Sequence, residues 1–234
     1  MHVRQALMPM IPFMTRFFKH EWLQLLLVLV PLLAAFSAMP FAVDRVPMQW
    51  DMHGHVNWYA PKTWGLLVLP GTLLLVTALV MVLEHFDKQR MHPDDGSLTL
   101  HGRATRSIRL GITLMLGAVS IVQIAAALGW HPNVAKLVPL GIALLFAFMG
   151  TVFGKLKQNR YVGIRVPWTM NSETVWARTH QAAGRLWTVS GLVVAVASLL
   201  VPARVVAPLL VSWIIVILAV PLVVAWRSAR DERR

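Results

Sequence analysis

The sequence predicts an all-α polytopic membrane protein with six transmembrane helices and both termini cytoplasmic. Three observations predict it. Of 234 residues, 57% are apolar and 14% are charged, and that charged share is about half that of a soluble domain. The apolar residues gather into six runs, each near the roughly 20 residues that a helix needs to cross about 30 Å of hydrocarbon. The 22 Lys and Arg residues crowd into alternate connecting segments, as the positive-inside rule expects of cytoplasmic loops.

The first run, 22–42, carries Pro31 and follows Trp22. It is read as a retained span and not a signal peptide, because about 20 residues precede it and the run is long enough for a full bilayer. The second, 64–83, starts at Trp64 and stops before Glu84-His85, a dipeptide too short to mark a catalytic motif. The third, 108–128, follows Arg103 and Arg106 and holds Gln123; Arg109, its second residue, is counted with them in the loop before it. The fourth, 134–153, holds Pro139 and ends in Gly150-Thr-Val-Phe-Gly154, read as a helix exit more than a packing face. The fifth and sixth, 182–201 and 205–225, flank Pro202. Trp22, Trp64, Trp130, Trp187 and Trp226 near span ends suit interfacial anchors.

Basic residues assign the sides. Eighteen of the 22 belong before the first run, between the second and third, between the fourth and fifth, or after the sixth, with Arg109 and Arg185 near the starts of their runs counted in the loops before them. Only Arg45, Lys62, Lys136 and Arg204 lie in the other segments. The net charge of +12 is therefore mostly an orientation signal, placed near anionic headgroups.

Composition excludes several classes. Disordered chains lack this much apolar residue. The absence of Cys removes disulfides, thiolate zinc sites and Cys nucleophiles. A soluble nucleic-acid-binding module would leave its apolar surface unsolvated. No His-Glu-x-x-His, Gly-x-Ser-x-Gly or phosphate-cradling glycine loop occurs. No enzyme activity, cofactor or metal is expected.

Two loops carry the remaining information. The extracytoplasmic loop, 43–63, is rich in Trp, His and Pro. Its candidate residues are Trp50, Asp51, His53, His55, Asn57 and Lys62. His53 and His55 stand two apart around Gly54 and would share a side in extended chain. They are read as polar groups at a wet turn, because two His and one Asp lack the spacing of a zinc site.

The cytoplasmic loop, 154–183, opens with Lys155, Lys157 and Arg160. Pro167 biases Val166 toward extended backbone. Asn171 or Ser172 suits a helix cap, with Glu173 in the first turn. Beyond it Trp176, Thr179, His180, Ala183 and Trp187 share one helical face, opposite Arg178, Gln181 and Arg185. That pattern predicts an interfacial helix running into the fifth span. The candidate partner- or lipid-binding residues are Asn159, Gly163, Arg165, Pro167, Trp168, Thr169, Trp176, Thr179 and His180. Arg165 is singled out because its guanidinium fork suits a carboxylate or phosphate.

The run Asn159-x-x-x-Gly163-Ile164-Arg165-x-Pro167-Trp168-Thr169, followed by Trp176-x-x-Thr179-His180 and Gly184, resembles the signature of the SdpI family of bacterial integral membrane proteins. Val166 stands where that family usually has Thr. Pro47, Trp50, Gly54, Asn57, Lys62 and Pro70 resemble the domain of unknown function often fused ahead of it, with Gln49 where His is usual and Asp51 where Asn is common. The resemblance implies two modules, 1–90 with two spans and 91–234 with four. It implies a multi-pass protein of the bacterial cytoplasmic (inner) membrane. It also implies toxin immunity, with a secreted peptide or protein toxin outside and a transcriptional repressor held inside, and no direct nucleic-acid binding. A small-solute or lipid transporter or channel is the first alternative, and a membrane-embedded enzyme using His180, Glu173 and Arg178 the second.

Overall fold

The computed structural model describes residues 10–51, 54–93 and 97–233, with side chains from residue 21 onward. His53 lies outside the described residues. Helix α1 (Met10–Ala38) leads into a hairpin of β1 (Arg45–Trp50) and β2 (Val56–Pro61). Helices α2 (Lys62–His85), α3 (Leu100–Ala127) and α4 (Val134–Phe153) follow. A one-turn helix α5 (Pro167–Met170) precedes α6 (Glu173–Leu200) and α7 (Ala203–Asp231). All of these helices except α5 are long and apolar enough to cross a membrane.

The helices outrun the apolar runs that predict them. Helix α3 starts about two turns early because the Thr99 hydroxyl caps it, accepting the Gly102 amide at 3.0 Å. Helix α6 starts at the predicted cap, the Ser172 hydroxyl accepting the Val175 amide at 3.1 Å with Glu173 in the first turn. The predicted amphipathic stretch runs unbroken into the fifth span as the first half of α6.

The 43–63 segment differs from the loop reading. It is a twisted antiparallel hairpin, pairing Val46 with Ala60 and Trp50 with Val56, with register shifts around Gln49. Gly54 turns it at φ 89°, a conformation costly for a side chain. Val46 is fully buried and anchors the hairpin among Ala35, Ala38, Leu66, Ile124 and Ala127.

Helix α3 packs on α1 and α2 on one side and on α4 on the other, while α4, α6 and α7 pack together. Gly150 corrects the helix-exit reading. A Cβ there would stand 2.6 Å from the Gly184 carbonyl, and one at Gly191 would stand 2.8 Å from that of Ala143. This small-residue seam lets α4 and α6 approach closely. Between α6 and α7, Trp187 donates Nε1–H to the Ile217 carbonyl at 3.0 Å. Pro221 has no N–H for that carbonyl one turn back, so the indole supplies the missing donor. The end of the bundle carrying segments 86–99 and 154–172 is called the basic end below, and the other the hairpin end.

Candidate functional site

At the basic end the chain leaves α4 and folds back over the start of α6. Asn159 is buried and organises the reversal with four bonds. Its Nδ2 donates to the Lys157 and Val162 carbonyls at 2.8 and 3.0 Å. Its Oδ1 accepts the Tyr161 and Val162 amides, each at 2.8 Å. Gly163 then adopts φ 129° and passes over a ring pair. A Cβ on it would meet His180 Nε2 at 2.6 Å and the Trp176 ring at 2.7 Å.

That ring pair is the support under the loop. Trp176 and His180 stack with centroids 4.0 Å apart, and Phe153 stacks on the other side of His180 at 5.0 Å. Their spacing of four residues on α6 places them one above the other. Trp176 Nε1 donates to the Leu156 carbonyl at 2.8 Å. His180 Nε2 accepts the Ile164 amide at 3.0 Å, so its proton sits on Nδ1, which faces the Trp176 carbonyl at 2.8 Å. This tautomer follows from the bonds its nitrogens make.

Thr169 completes the lock from inside α5. Its hydroxyl donates toward the Ile164 carbonyl at 2.6 Å and accepts the Val166 amide at 3.1 Å. Gln158 reaches the Thr169 carbonyl at 2.7 Å. Thr179 is buried beside this set, and its hydroxyl makes no hydrogen bond among the described residues.

The predicted site residues therefore split. Trp176, Thr179 and His180 are buried, which corrects their reading as contact residues at a membrane or partner surface. They hold the loop, and Asn159, Gly163 and Thr169 shape it. Trp168 turns away and packs with Val166 against Val175, Ala225 and Ala229. Arg165 and Pro167 are exposed, as are Lys155, Lys157 and Arg160. The outward face is thus a basic surface on a fixed backbone.

At the hairpin end Asp51 closes the turn. Its Oδ1 accepts the His55 amide at 2.9 Å, and its Oδ2 lies 3.3 Å from His55 Nδ1. Lys62 pairs with Asp44 at 3.3 Å instead of reaching Asp51. Trp50 is half-buried, Asn57 is exposed, and the neighbouring Trp58 and Tyr59 are exposed. No group of three potential metal ligands occurs among the described residues.

A third cluster was not anticipated. Glu21, Glu84 and Arg109 are 6%, 5% and 1% exposed. Arg109 Nη2 binds Glu21 at 2.7 Å, and its Nε lies 3.1 Å from Glu84. Arg90 bridges the same two carboxylates at 3.3 and 2.9 Å. Arg109 is therefore inside α3 and not in the loop where sequence placed it. Buried ions survive only when paired, and here each carboxylate meets two guanidiniums. The available signal was acidic residues abutting apolar runs in a chain with ten Asp and Glu in all.

The 86–99 segment and the start of α3 are tied to the 154–172 loop beside this cluster. His101 is fully buried between Asp87 (2.7 Å) and the Lys157 amide (3.2 Å). Gln89 donates to the Gln158 carbonyl at 3.2 Å.

Comparison with known proteins agrees with the motif reading. Residues 155–226 match the SdpI/YfhL protein family, which covers the locked loop, α5, α6 and most of α7. Residues 26–74 match a domain of unknown function, DUF1648, which covers the second half of α1, the hairpin and half of α2. The Immunity protein SdpI of Bacillus subtilis (strain 168) is 20% identical over 182 residues, 77% of this chain and 82% of that protein. No solved structure matches.

Proposed function

We propose that this multi-pass membrane protein, with its SdpI/YfhL-type C-terminal part, is an immunity protein of a bacterial inner membrane. The basic end and both termini face the cytoplasm. The hairpin end faces outward, where it meets a secreted toxin. Inside, the 154–172 surface docks an acidic face of a transcriptional repressor. Modules 1–90 and 91–234 divide these tasks, the first sensing and the second docking.

One observation supports docking most. Arg165 and its basic neighbours project from a backbone locked by Asn159, Thr169 and the Trp176–His180 stack. A pre-ordered surface binds without first losing loop entropy. Gln89, and Asp87 acting through His101, give the N-terminal module a route to this loop.

The test is retention of the repressor. Membranes containing the full chain are expected to hold a repressor encoded beside it when the toxin is present, and to release it when Arg165 is replaced by Ala. Membranes that never retain it contradict docking while leaving immunity standing.

The buried Glu21–Arg109–Glu84–Arg90 cluster favours a second reading, a transporter, since ionisable groups inside a bundle often mark a pathway. Flux into liposomes that rises with purified protein supports that reading, and unchanged flux removes it.

A further inference from the structure

A chamber of about 650 Å³ lies between the two halves of the bundle. That is within the roughly 300–1,000 Å³ of known ligand pockets. Its walls are almost wholly apolar, with Ile112, Met149 and Leu222 among them, while Glu84 and Arg109 line it as well. Val80 of α2 and Leu222 of α7 line it from helices packed in different halves. Both helices carry exposed Leu and Val elsewhere along their length.

The charged pair is incompletely used. Arg90 and Arg109 both pair with Glu84 Oε2, whereas Glu84 Oε1 and Arg109 Nη1 have no hydrogen-bond partner among the described residues. A desolvated acceptor and a desolvated donor remain at one place, each costly if left without a partner. A purely anionic head would meet the Glu84 carboxylate, and a purely cationic one the Arg109 guanidinium. A head carrying an ammonium and a phosphate satisfies both. Depth agrees: Glu21, Glu84 and Arg109 all sit at the edge of an apolar run, where headgroups begin.

We infer that this chamber binds one phospholipid of the phosphatidylethanolamine type. Its ammonium donates to Glu84, its phosphate accepts from Arg109, and an acyl chain lies along the Ile112–Met149 wall. None of the three buried ionic residues lies within either matched family segment. The inference is independent of the immunity reading.

The test is native mass spectrometry of the full chain purified in detergent and offered equal amounts of dioleoyl phosphatidylethanolamine, phosphatidylcholine and phosphatidylglycerol. Phosphatidylethanolamine is expected to be retained over phosphatidylcholine, whose trimethylammonium has no N–H, by about tenfold, the ratio one good polar contact gives. Glu84→Gln is expected to erase that preference. Met149→Trp, or Ile112→Trp if the first does not fold, fills the chamber and is expected to abolish retention with the ion cluster intact. Equal retention of the three lipids, preference for phosphatidylglycerol, or undiminished retention in the filled variant overturns the inference.

Discussion

Gly163 lies directly against His180: a Cβ added to the glycine would stand 2.6 Å from the imidazole Nε2 that accepts the Ile164 amide. The close pass seats a loop between two spans directly on the Trp176–His180 ring pair. It also separates two roles of glycine, conformational freedom and the absence of volume.

Gly163→Ala is expected to lose both. Gly129 also has positive φ, 87°, but a Cβ there meets nothing within 4 Å. Gly129→Ala should cost about 1–2 kcal/mol from backbone strain alone. Gly163→Ala should cost about 1–3 kcal/mol more, from overpacking. Thermal unfolding of the two variants in detergent measures the difference, and equal losses would show that the rings give way freely.

Trp187 and Pro221 make a coupled pair. Trp187→Phe leaves the Ile217 carbonyl without its indole donor, and an unsatisfied buried acceptor costs about 1–3 kcal/mol. In a Pro221→Ala background the helix supplies its own N–H, so Trp187→Phe should cost measurably less. A double-mutant cycle on unfolding reads that coupling. Strict additivity would mean the carbonyl never depended on Trp187.

Trp176→Ala removes a 2%-exposed indole from beneath the loop. Cavity formation should cost about 3–5 kcal/mol. Trp176→Phe keeps most of the volume and loses the bond to Leu156, so its cost should fall to about 1–3 kcal/mol. Unfolding midpoints order the two, and an unchanged midpoint for Trp176→Ala contradicts the packing described.

Arg109→Met leaves Glu21 and Glu84 sharing Arg90 alone, two buried carboxylates against one cation. Breaking a buried pair from one side should cost about 3–5 kcal/mol. Exposed Arg178→Met should stay within about 0.5 kcal/mol. The same melting assay compares them. Similar midpoints would mean that Arg109 is not buried as an ion.

Six spans were legible in the sequence because a bilayer imposes a length and an apolar run reports it directly. The hairpin was not, because only Gly54 punctuates it and its buried face is little more than Val46. The Trp176–His180 face was legible as a stripe four residues apart. What covers it was not, since nothing local says that 156–164 folds back over it. Gly154 does end α4, yet Gly150 one turn earlier faces Gly184, a partner that sequence spacing cannot name. The ion cluster was hardest to foresee, because Arg109 and Glu21 are 88 residues apart.

The most direct test of the immunity reading is a mixed culture. The host deleted for this chain is grown with its toxin-secreting parent, and survivors of each are counted. The deletion strain is expected to be killed, to be rescued by the full chain, and to be rescued poorly by Gly163→Ala, which disturbs the locked loop. Equal survival of the deletion strain and its parent would contradict the immunity assignment.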